Sequence, residues 1–282
     1  LLFALRKVIK YILSGLQGTN YPISYIEKDD VLYQYMKLIK GDEYQRGRIL
    51  PRDFIGPSST TLQMENIIPV DENSRIPNIR NHYTVTDKAD GERRLLFINS
   101  DGNLYMIDTN MSVIFTGAKV QDKALYDSLI DGEFIKYDKM GKIVNLYAAF
   151  DIYFIHKKST RDFMFAPTGE EPISDTIEET QQTKKGREKE TEEQKRPTVR
   201  YRLALLQQFV QRMKIISIMK AESKKESIES VCDFHIKVKT FCMTTPNVTI
   251  FQACSKIMSD INDGIYPYNT DGLIFTPSNT AV

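Results

Sequence analysis

The spacing of apolar residues predicts two amphipathic helices within the first forty residues. Aliphatic side chains recur every three or four positions in the first stretch, at Leu2, Leu5, Val8, Ile9 and Ile12. The spacing returns after a helix-start signal at Asp29-Asp30, with apolar residues at Val31, Tyr33, Met36 and Leu38. Residues spaced in this way lie on one face of a helix. We expect both faces to pack on a core, and docking to a partner is the alternative interpretation.

Short β-rich runs separated by turn residues occupy the chain from residue 83 to residue 154. Residues 95–98 and 104–107 predict the two strands of a hairpin, because glycine in the intervening Asp101-Gly102 accepts the positive φ of a tight turn. Further strands are predicted at residues 83–85, 130–135 and 146–155.

Helical and strand patterns alternate in the last third of the chain. Helical periodicity spans residues 201–219 and returns at 250–261, whereas residues 234–239 and 270–277 predict strands. This mixture of periods indicates the α+β class.

Residues 166–197 differ in composition from the rest of the chain. They hold nine acidic and six basic side chains and no aromatic residue, so they offer almost nothing to bury. We therefore predict a disordered, solvated insertion there.

The full chain of 282 residues is nearly neutral, with 38 basic and 37 acidic residues. This balance removes the simple electrostatic argument for a nucleic-acid-binding protein. Outside residues 166–197, however, 32 basic and 28 acidic side chains remain, so a local basic surface is allowed. A hydrophobic content of 41% without a long apolar run indicates a globular chain and predicts no contact with a membrane.

The three cysteines are Cys232, Cys242 and Cys254, and their spacing contains no C-x-x-C pair. An odd number in this arrangement argues against a disulfide framework and against a structural zinc site. It favours a reducing compartment.

The strongest candidate for chemistry is the segment Lys88-x-Asp90-Gly91-x-Arg93, which lies between two predicted strands. A lysine can attack phosphorus as the neutral amine. Gly91 would let the backbone approach a phosphate, and Arg93 offers a fixed fork of donors. A charged β-turn is the alternative interpretation of this segment taken alone.

Three further segments add carboxylates and an aromatic ring. They are Asp131-Gly132-Glu133 at the head of a strand, Phe150-Asp151 within an apolar run, and Asp271-Gly272 at a turn. These residue types could hold a ribose hydroxyl, stack on a purine and bind a divalent metal, respectively. Taken singly, the two acidic segments are also typical of solvated turns, and Phe150 of a core position.

In this order the four segments resemble the motifs of the covalent nucleotidyltransferases, which comprise mRNA capping guanylyltransferases and ATP-dependent DNA or RNA ligases. The resemblance covers residues 80–277. Residues 83–91 are most similar to the guanylyltransferase domain of the multifunctional capping enzymes of large cytoplasmic DNA viruses. The resemblance implies largely antiparallel sheets flanked by helices, with the nucleotide in a groove between them.

The resemblance also implies a role for each candidate residue. Lys88 would attack the α-phosphate of GTP, and the GMP held on it would pass to the 5′-diphosphate end of RNA. The implied nucleotide-binding residues are Asp90, Gly91, Arg93, Glu133 and Phe150. Arg93 and Glu133 would contact the ribose and Phe150 the base, while Asp271 would bind Mg²⁺ or Mn²⁺.

The domain organisation follows from the same resemblance. Residues 1–60 are predicted to form a helical junction with an upstream triphosphatase domain, and residues 61–282 to form the nucleotidyltransferase domain. A cap methyltransferase domain would follow. The sequence begins without Met and stops before the later lysine pair and the OB-fold lid of the family. We therefore expect a piece of a longer protein, weak or inactive alone, that acts in the cytoplasm or, if viral, in a viral factory or virion.

Two other functions stay open at this point. The adenylation domain of an ATP-dependent ligase would carry the same segments. A catalytically inactive domain that binds RNA or another protein is the third hypothesis.

Overall fold

The computed structural model describes residues 2–69, 74–168, 201–218 and 233–282. The helices in these ranges are α1 (Leu2–Gln17), α2 (Tyr25–Lys40), α3 (Arg202–Arg212) and α4 (Ile250–Asn262). Short 3-10 turns lie at Pro51–Asp53, Met64–Asn66 and Lys123–Leu125. None of the helices in the described ranges has the length and apolar character that crossing a membrane requires.

Eleven strands are described and form two sheets. The strands are β1 (Tyr83–Ala89), β2 (Glu92–Ile98), β3 (Asn103–Asp108), β4 (Val113–Val120), β5 (Ser128–Tyr137), β6 (Ile143–Ile155), β7 (Lys158–Ser159), β8 (Ile215–Ser217), β9 (His235–Val238), β10 (Cys242–Met243) and β11 (Thr270–Pro277). The small sheet has the order β10-β1-β11, and the large sheet has the order β7-β6-β5-β2-β3-β4-β8 with β9 beside β6. The pairing is antiparallel throughout except between β6 and β9. This architecture confirms the predicted α+β class with largely antiparallel sheets.

The centre of the large sheet is buried on both faces. Leu95 and Phe97 of β2 belong to one hydrophobic core, whereas Leu96 and Ile98 of the same strand belong to a second core on the other face. This explains why β2 reads as a continuous apolar run rather than an alternation. The predicted hairpin forms between β2 and β3, and Gly102 has the positive φ of 80° that its turn requires.

Helix α2 covers one face of the large sheet. Val31, Tyr35 and Met36 of this helix are buried in the core that contains Phe97. The helix begins at Tyr25, before the predicted start at Asp29-Asp30, because the Ser24 side chain accepts a hydrogen bond from the Glu27 N–H at 3.2 Å and caps it. Helix α2 therefore belongs to the same folded unit as the strands. The predicted junction of residues 1–60 with an upstream domain stays a prediction.

Helix α1 forms at the predicted place but does not meet the expectation that it packs on a core. None of its residues is buried against the described part of the chain, and Phe3 is 82% exposed.

The helix predicted for residues 201–219 is shorter in the structure. Helix α3 ends at Arg212, and Ile215–Ser217 form β8 against the edge of β4. The β-branched Ile215 and Ile216 suit a strand, and the edge of β4 offers the unpaired backbone groups. Residues 169–197 of the predicted insertion lie outside the described residues, whereas Ala166 at its beginning is buried.

Candidate active site

Lys88 lies near the end of β1, where the small sheet leads into the turn before β2. Its Nζ atom lies 2.7 and 2.6 Å from the two carboxylate oxygens of Asp271 on β11. The Lys88 side chain is 48% exposed and that of Asp271 is 53% exposed. The structure therefore brings the predicted nucleophile and the predicted metal ligand together at an accessible surface.

A β-bulge creates this contact. The register of β1 against β11 shifts between Asp87 and Ala89, so that Asp271 and Gly272 both lie opposite Lys88. Gly272 has a φ of 154°, which residues with a side chain rarely adopt. A bulge commonly re-aims a side chain, and here it turns the carboxylate toward the amine.

A buried ion pair lies beside Lys88. Its neighbour Asp87 is fully buried, and the Nζ atom of Lys239 lies 3.2 Å from the Asp87 Oδ2 atom. The same ammonium group also donates to the Asp87 carbonyl. Burial lowers the pKa of Lys239, and the Asp87 carboxylate opposes that change. Because Lys239 directly follows β9, the pair links the large sheet to the strand that carries Lys88.

Arg93 on β2 is fixed by the carboxylate of Asp131 on β5. Its Nε atom lies 3.2 Å from Asp131 Oδ1 and its Nη2 atom 2.6 Å from Oδ2. The Tyr153 hydroxyl donates to the same Oδ2 atom at 2.6 Å. Although burial opposes the change, the Asp131 carboxylate raises the pKa of Arg93. Arg93 is therefore a fixed positive charge, and its side chain stays 26% exposed.

Two aromatic rings and a backbone carbonyl also contact Arg93. The ring of Phe54 lies 5.5 Å from the guanidinium carbon, and the ring of Phe150 lies 5.8 Å from it. The Pro57 carbonyl accepts a hydrogen bond from Nη1 at 2.7 Å. Phe150 is partly buried and lies on the Arg93 side of the site, so the predicted base contact and the predicted ribose contact are neighbours.

Glu133 is directly opposite Arg93 in the pairing of β2 with β5. Its side chain is partly buried, and this burial raises its pKa to about 7, while the ammonium group of Lys239 acts in the opposite direction. The structure therefore gathers Arg93, Glu133 and Phe150 on adjoining strands of the large sheet.

The turn between β1 and β2 is tied to both sheets. A Cβ atom on Gly91 would lie 2.8 Å from Glu133 Cγ and 2.8 Å from the Phe134 carbonyl oxygen, so close packing requires glycine here. The Asp90 N–H donates to the Asn269 carbonyl at 2.9 Å, while the Asp90 side chain is exposed. Direct contacts of Asp90 and Gly91 with a nucleotide stay predictions.

The side chains around Asp271 decide which kind of metal site could form there. Among the described residues, no three His, Cys, Asp or Glu side chains are grouped as a metal cage made of protein ligands would require. A single exposed carboxylate fits a metal that also binds substrate phosphates and water, as Mg²⁺ commonly does. The residues present therefore suit Mg²⁺ or Mn²⁺ bound together with a nucleotide.

Asp151, beside Phe150, has a structural partner. Its carboxylate receives two hydrogen bonds from Arg202 of α3, from Nε at 2.9 Å and from Nη2 at 3.2 Å, and both residues are buried. Burial raises the pKa of Asp151 to about 6, and Arg202 opposes that change. Arg202 also donates to the carbonyls of Phe163 and Thr280. Asp151 therefore anchors α3 and the last residues of the chain to β6.

The residues that support this site do not stand out in the sequence. Lys239, Tyr153 and Asp87 carry no motif of their own, and the partner of Asp131 is not visible in the local sequence. The available signals were a lysine that directly follows a short strand of alternating polar and apolar residues, and an aspartate that directly follows the apolar pair Leu129-Ile130. Charges in such positions require partners when they are buried.

The structure thus brings together a strand-end lysine, a carboxylate facing it and an arginine fixed on the adjoining sheet, as the sequence resemblance predicts for a nucleotidyltransferase site. The family of mRNA capping enzyme catalytic domains matches residues 75–226, more than half of the chain. The chain belongs to this family. The match includes Lys88, Arg93, Glu133 and Phe150, and it confirms the resemblance drawn from the sequence.

One relative is a probable mRNA-capping enzyme of Acanthamoeba polyphaga mimivirus, which is 34% identical over 139 residues. The match covers 49% of this chain and 10% of that protein. The chain therefore spans about a tenth of the length of this relative.

Among solved structures, a mycobacterial DNA ligase D complexed with ATP and MES aligns with a TM-score of 0.32 and 10% identity. The alignment covers 71% of this chain and 49% of the ligase chain. This likeness is too slight to bear on the choice between capping and ligation.

Proposed function

We propose that this domain is an mRNA guanylyltransferase, which takes GMP from GTP onto Lys88 and passes it to the 5′-diphosphate end of RNA. The observation that supports the proposal most is the position of Lys88. It lies within the segment matched by the capping-enzyme family, and its exposed amine is held by a carboxylate from the adjacent strand.

In the first half-reaction, the Lys88 amine attacks the α-phosphorus of GTP. Lys88 must first leave the Asp271 carboxylate and lose a proton to the solvent to which it is exposed, because an ammonium group has no lone pair to donate. A nitrogen–phosphorus bond forms, the bond from the α-phosphorus to the bridging oxygen breaks, and pyrophosphate leaves. Positioning and charge neutralisation supply most of the acceleration in reactions of this kind.

The surrounding residues would bind the nucleotide and its metal. Arg93 and Glu133 would contact the ribose, and Phe150 would stack on the guanine. Asp271 would hold Mg²⁺ or Mn²⁺, which when bound neutralises charge on the triphosphate.

In the second half-reaction, a terminal phosphate oxygen of 5′-diphosphate RNA attacks the phosphorus of the Lys88–GMP phosphoamide. A phosphorus–oxygen bond forms, the nitrogen–phosphorus bond breaks, and Lys88 takes up a proton. The amine is then ready for the next GTP.

The test is to incubate the full-length protein with Mg²⁺ or Mn²⁺ and either GTP or ATP labelled at the α-phosphate. A labelled GMP adduct that is lost in Lys88→Ala is the expected result. Lys10→Ala, which removes an exposed lysine of α1, is the matched control and should keep the adduct. An AMP adduct would support the ligase alternative instead, and no adduct with either nucleotide would reject both enzymatic functions.

Neighbouring triphosphatase and methyltransferase domains, and action in the cytoplasm, a viral factory or a virion, belong to the same proposal. Their support is the likeness to a probable viral mRNA-capping enzyme of much greater length. Assays of the full-length protein for RNA 5′-triphosphatase and cap methyltransferase activity test the first part, and its location in the producing cell tests the second.

A further inference from the structure

The segment Phe54–Gly56–Pro57 contacts Arg93, although it precedes the residues matched by the capping-enzyme family. We infer that helix α2 and this segment are a positioning element for Arg93 and thereby belong to the nucleotide-binding site. The inference rests on the proposed function, in which Arg93 binds the nucleotide.

The positioning element begins at Tyr35 of α2, which is fully buried. Its hydroxyl donates to the Asp53 carbonyl at 2.7 Å and accepts a hydrogen bond from the Ile55 N–H at 3.1 Å. Its ring meets the ring of Phe97 on β2 edge to face, with 6.4 Å between the centroids. One hydroxyl therefore fixes the path of the chain on both sides of Phe54.

Asp53 closes the turn that precedes this path. Its carboxylate accepts hydrogen bonds from the Leu50 N–H at 2.8 Å and from Lys40 Nζ at 3.1 Å. The backbone hydrogen bond lowers the pKa of Asp53, and Lys40 acts in the same direction. Helix α2 thus holds the segment through Tyr35 and through Lys40, which is the last residue of the helix.

Gly56 lets the chain pass directly over the Arg93–Asp131 ion pair. A Cβ atom at this position would lie 2.6 Å from Arg93 Nη2, 3.0 Å from Asp131 Oδ2 and 3.2 Å from the Tyr153 hydroxyl. The φ of 135° is also one that residues with a side chain rarely adopt. Only glycine fits at this position without displacing the Arg93 side chain.

The orientation of Arg93 is consequently set from two sides. Asp131 receives hydrogen bonds from Nε and Nη2, and the Pro57 carbonyl receives one from Nη1. A guanidinium group has five N–H donors, so donors remain for a ligand. Phe54 and Phe150 restrict rotation of the guanidinium plane. Without the segment, the Asp131 ion pair would persist, but Nη1 would lose its acceptor and the guanidinium group its contact with Phe54, so the remaining donors would be held less tightly.

The conservative test is Tyr35→Phe, which keeps the buried ring and removes both hydrogen bonds to residues 53 and 55. We expect the KM for GTP in adduct formation by the full-length protein to rise about tenfold. This is the effect typical of losing one well-placed hydrogen bond, here the one from a displaced Arg93 to the nucleotide. The rate at saturating GTP should stay within about twofold, because Lys88 is untouched. Tyr11→Phe is the matched control, since Tyr11 lies on α1, outside the positioning element, and its hydroxyl makes no hydrogen bond to another described residue. It should leave both values unchanged.

A second pair of variants tests the contact itself. Gly56→Ala should raise the KM for GTP more than Tyr35→Phe does, because the new Cβ atom displaces Arg93. Gly47→Ala is its control, since a Cβ atom there meets nothing closer than 3.9 Å. Thermal melting of each protein shows whether it is folded. If Gly56→Ala does not fold, the KM of Tyr35→Phe alone tests whether the segment positions Arg93.

The outcomes separate this inference from the proposed function. An unchanged KM for GTP in folded Tyr35→Phe overturns the inference while leaving the proposed function intact. A lower melting temperature and a lower saturated rate at unchanged KM would also overturn it, because they show a structural role alone. If the wild-type protein forms no GMP adduct, the proposed function fails and the inference falls with it.

Discussion

Lys88 and Asp271 come from adjacent antiparallel strands and meet across a β-bulge, with 2.6 Å between Lys88 Nζ and Asp271 Oδ2. About half of each side chain is exposed to solvent. An exposed ion pair of this kind stabilises a protein by about 1 kcal/mol or less. The contact therefore bears on where the amine lies more than on the stability of the fold.

The substitution Asp271→Asn separates these two effects. We expect GMP adduct formation to slow about 100-fold, because the variant loses the charge that would hold the metal and orient Lys88. The free energy of unfolding should change by about 1 kcal/mol or less. Single-turnover labelling and urea denaturation measure the two quantities. A variant that labels at the wild-type rate would remove Asp271 from the proposed mechanism.

Glu133 predicts a pH dependence of stability. Burial raises its pKa from 4.5 to about 7, so between these values the unfolded chain has released a proton that the folded chain still binds. Folding is therefore progressively disfavoured as the pH rises from about 4.5 to about 7. Glu133→Gln abolishes this ionisation. The free energy of unfolding of the variant relative to wild type should increase across this window and level off above it.

Urea denaturation of both proteins at pH 4.5, 6 and 8 checks the prediction for Glu133. A difference that stays flat over this range, or that falls with pH, would contradict it. The same variant should bind GTP more weakly at every pH if Glu133 contacts the ribose.

Gly91 is predicted to be required for packing as well as for any phosphate contact. Gly91→Ala would place a Cβ atom 2.8 Å from the Phe134 carbonyl oxygen, and backbone cannot yield as a flexible side chain can. We expect a loss of about 1–3 kcal/mol in the free energy of unfolding. The control is Gly47→Ala, which lies outside the helices and strands and where a Cβ atom meets nothing closer than 3.9 Å. Equal stability of the two variants would show that the turn adapts.

The fold could be predicted largely from the sequence because most of its elements have a clear local period. The bounds of α4 and β11 and the β2–β3 hairpin follow from apolar spacing and one glycine turn. The end of α3 could not be predicted this way, because β8 forms on the edge of β4, about a hundred residues earlier in the chain. Helical periodicity cannot reveal a partner at that distance.

The residues of the candidate site also differ in how far they could be predicted from the sequence. Lys88, Arg93 and Glu133 lie in short contiguous segments, and the chemistry that such segments can support can be inferred from the sequence. The groups that fix them are distant, since Lys239 contacts a residue 152 positions away and Asp131 contacts one 38 positions away. Folding brings these distant charges together and buries them as pairs. Which charges meet is therefore not visible in the local sequence.

Arg202 and Asp151 provide a test of one such pair away from the chemistry. Arg202→Met leaves the Asp151 carboxylate buried without its partner, which should cost about 3–5 kcal/mol in the free energy of unfolding. Adding Asp151→Asn should restore a large part of that loss. Because the unpaired carboxyl group favours its protonated form, the single variant should be less destabilised at pH 5 than at pH 8. Urea denaturation at both pH values measures each effect, and an equal loss at both would contradict the role given to the carboxylate.

Lys239 is predicted to support Lys88 from within the protein. In Lys239→Met the fully buried Asp87 carboxylate loses its ion pair, so the free energy of unfolding should fall by about 3–5 kcal/mol. Since Asp87 adjoins Lys88 in β1, GMP adduct formation should slow as well. Lys237→Met removes an exposed lysine of β9, two residues before Lys239, and should change stability by about 0.5 kcal/mol or less. If Asp87→Asn combined with Lys239→Met regains stability but not the labelling rate, the ammonium charge itself contributes to the site. Equal stability of the Lys239 and Lys237 variants would instead show that the Lys239–Asp87 ion pair does not stabilise the contact between the two sheets.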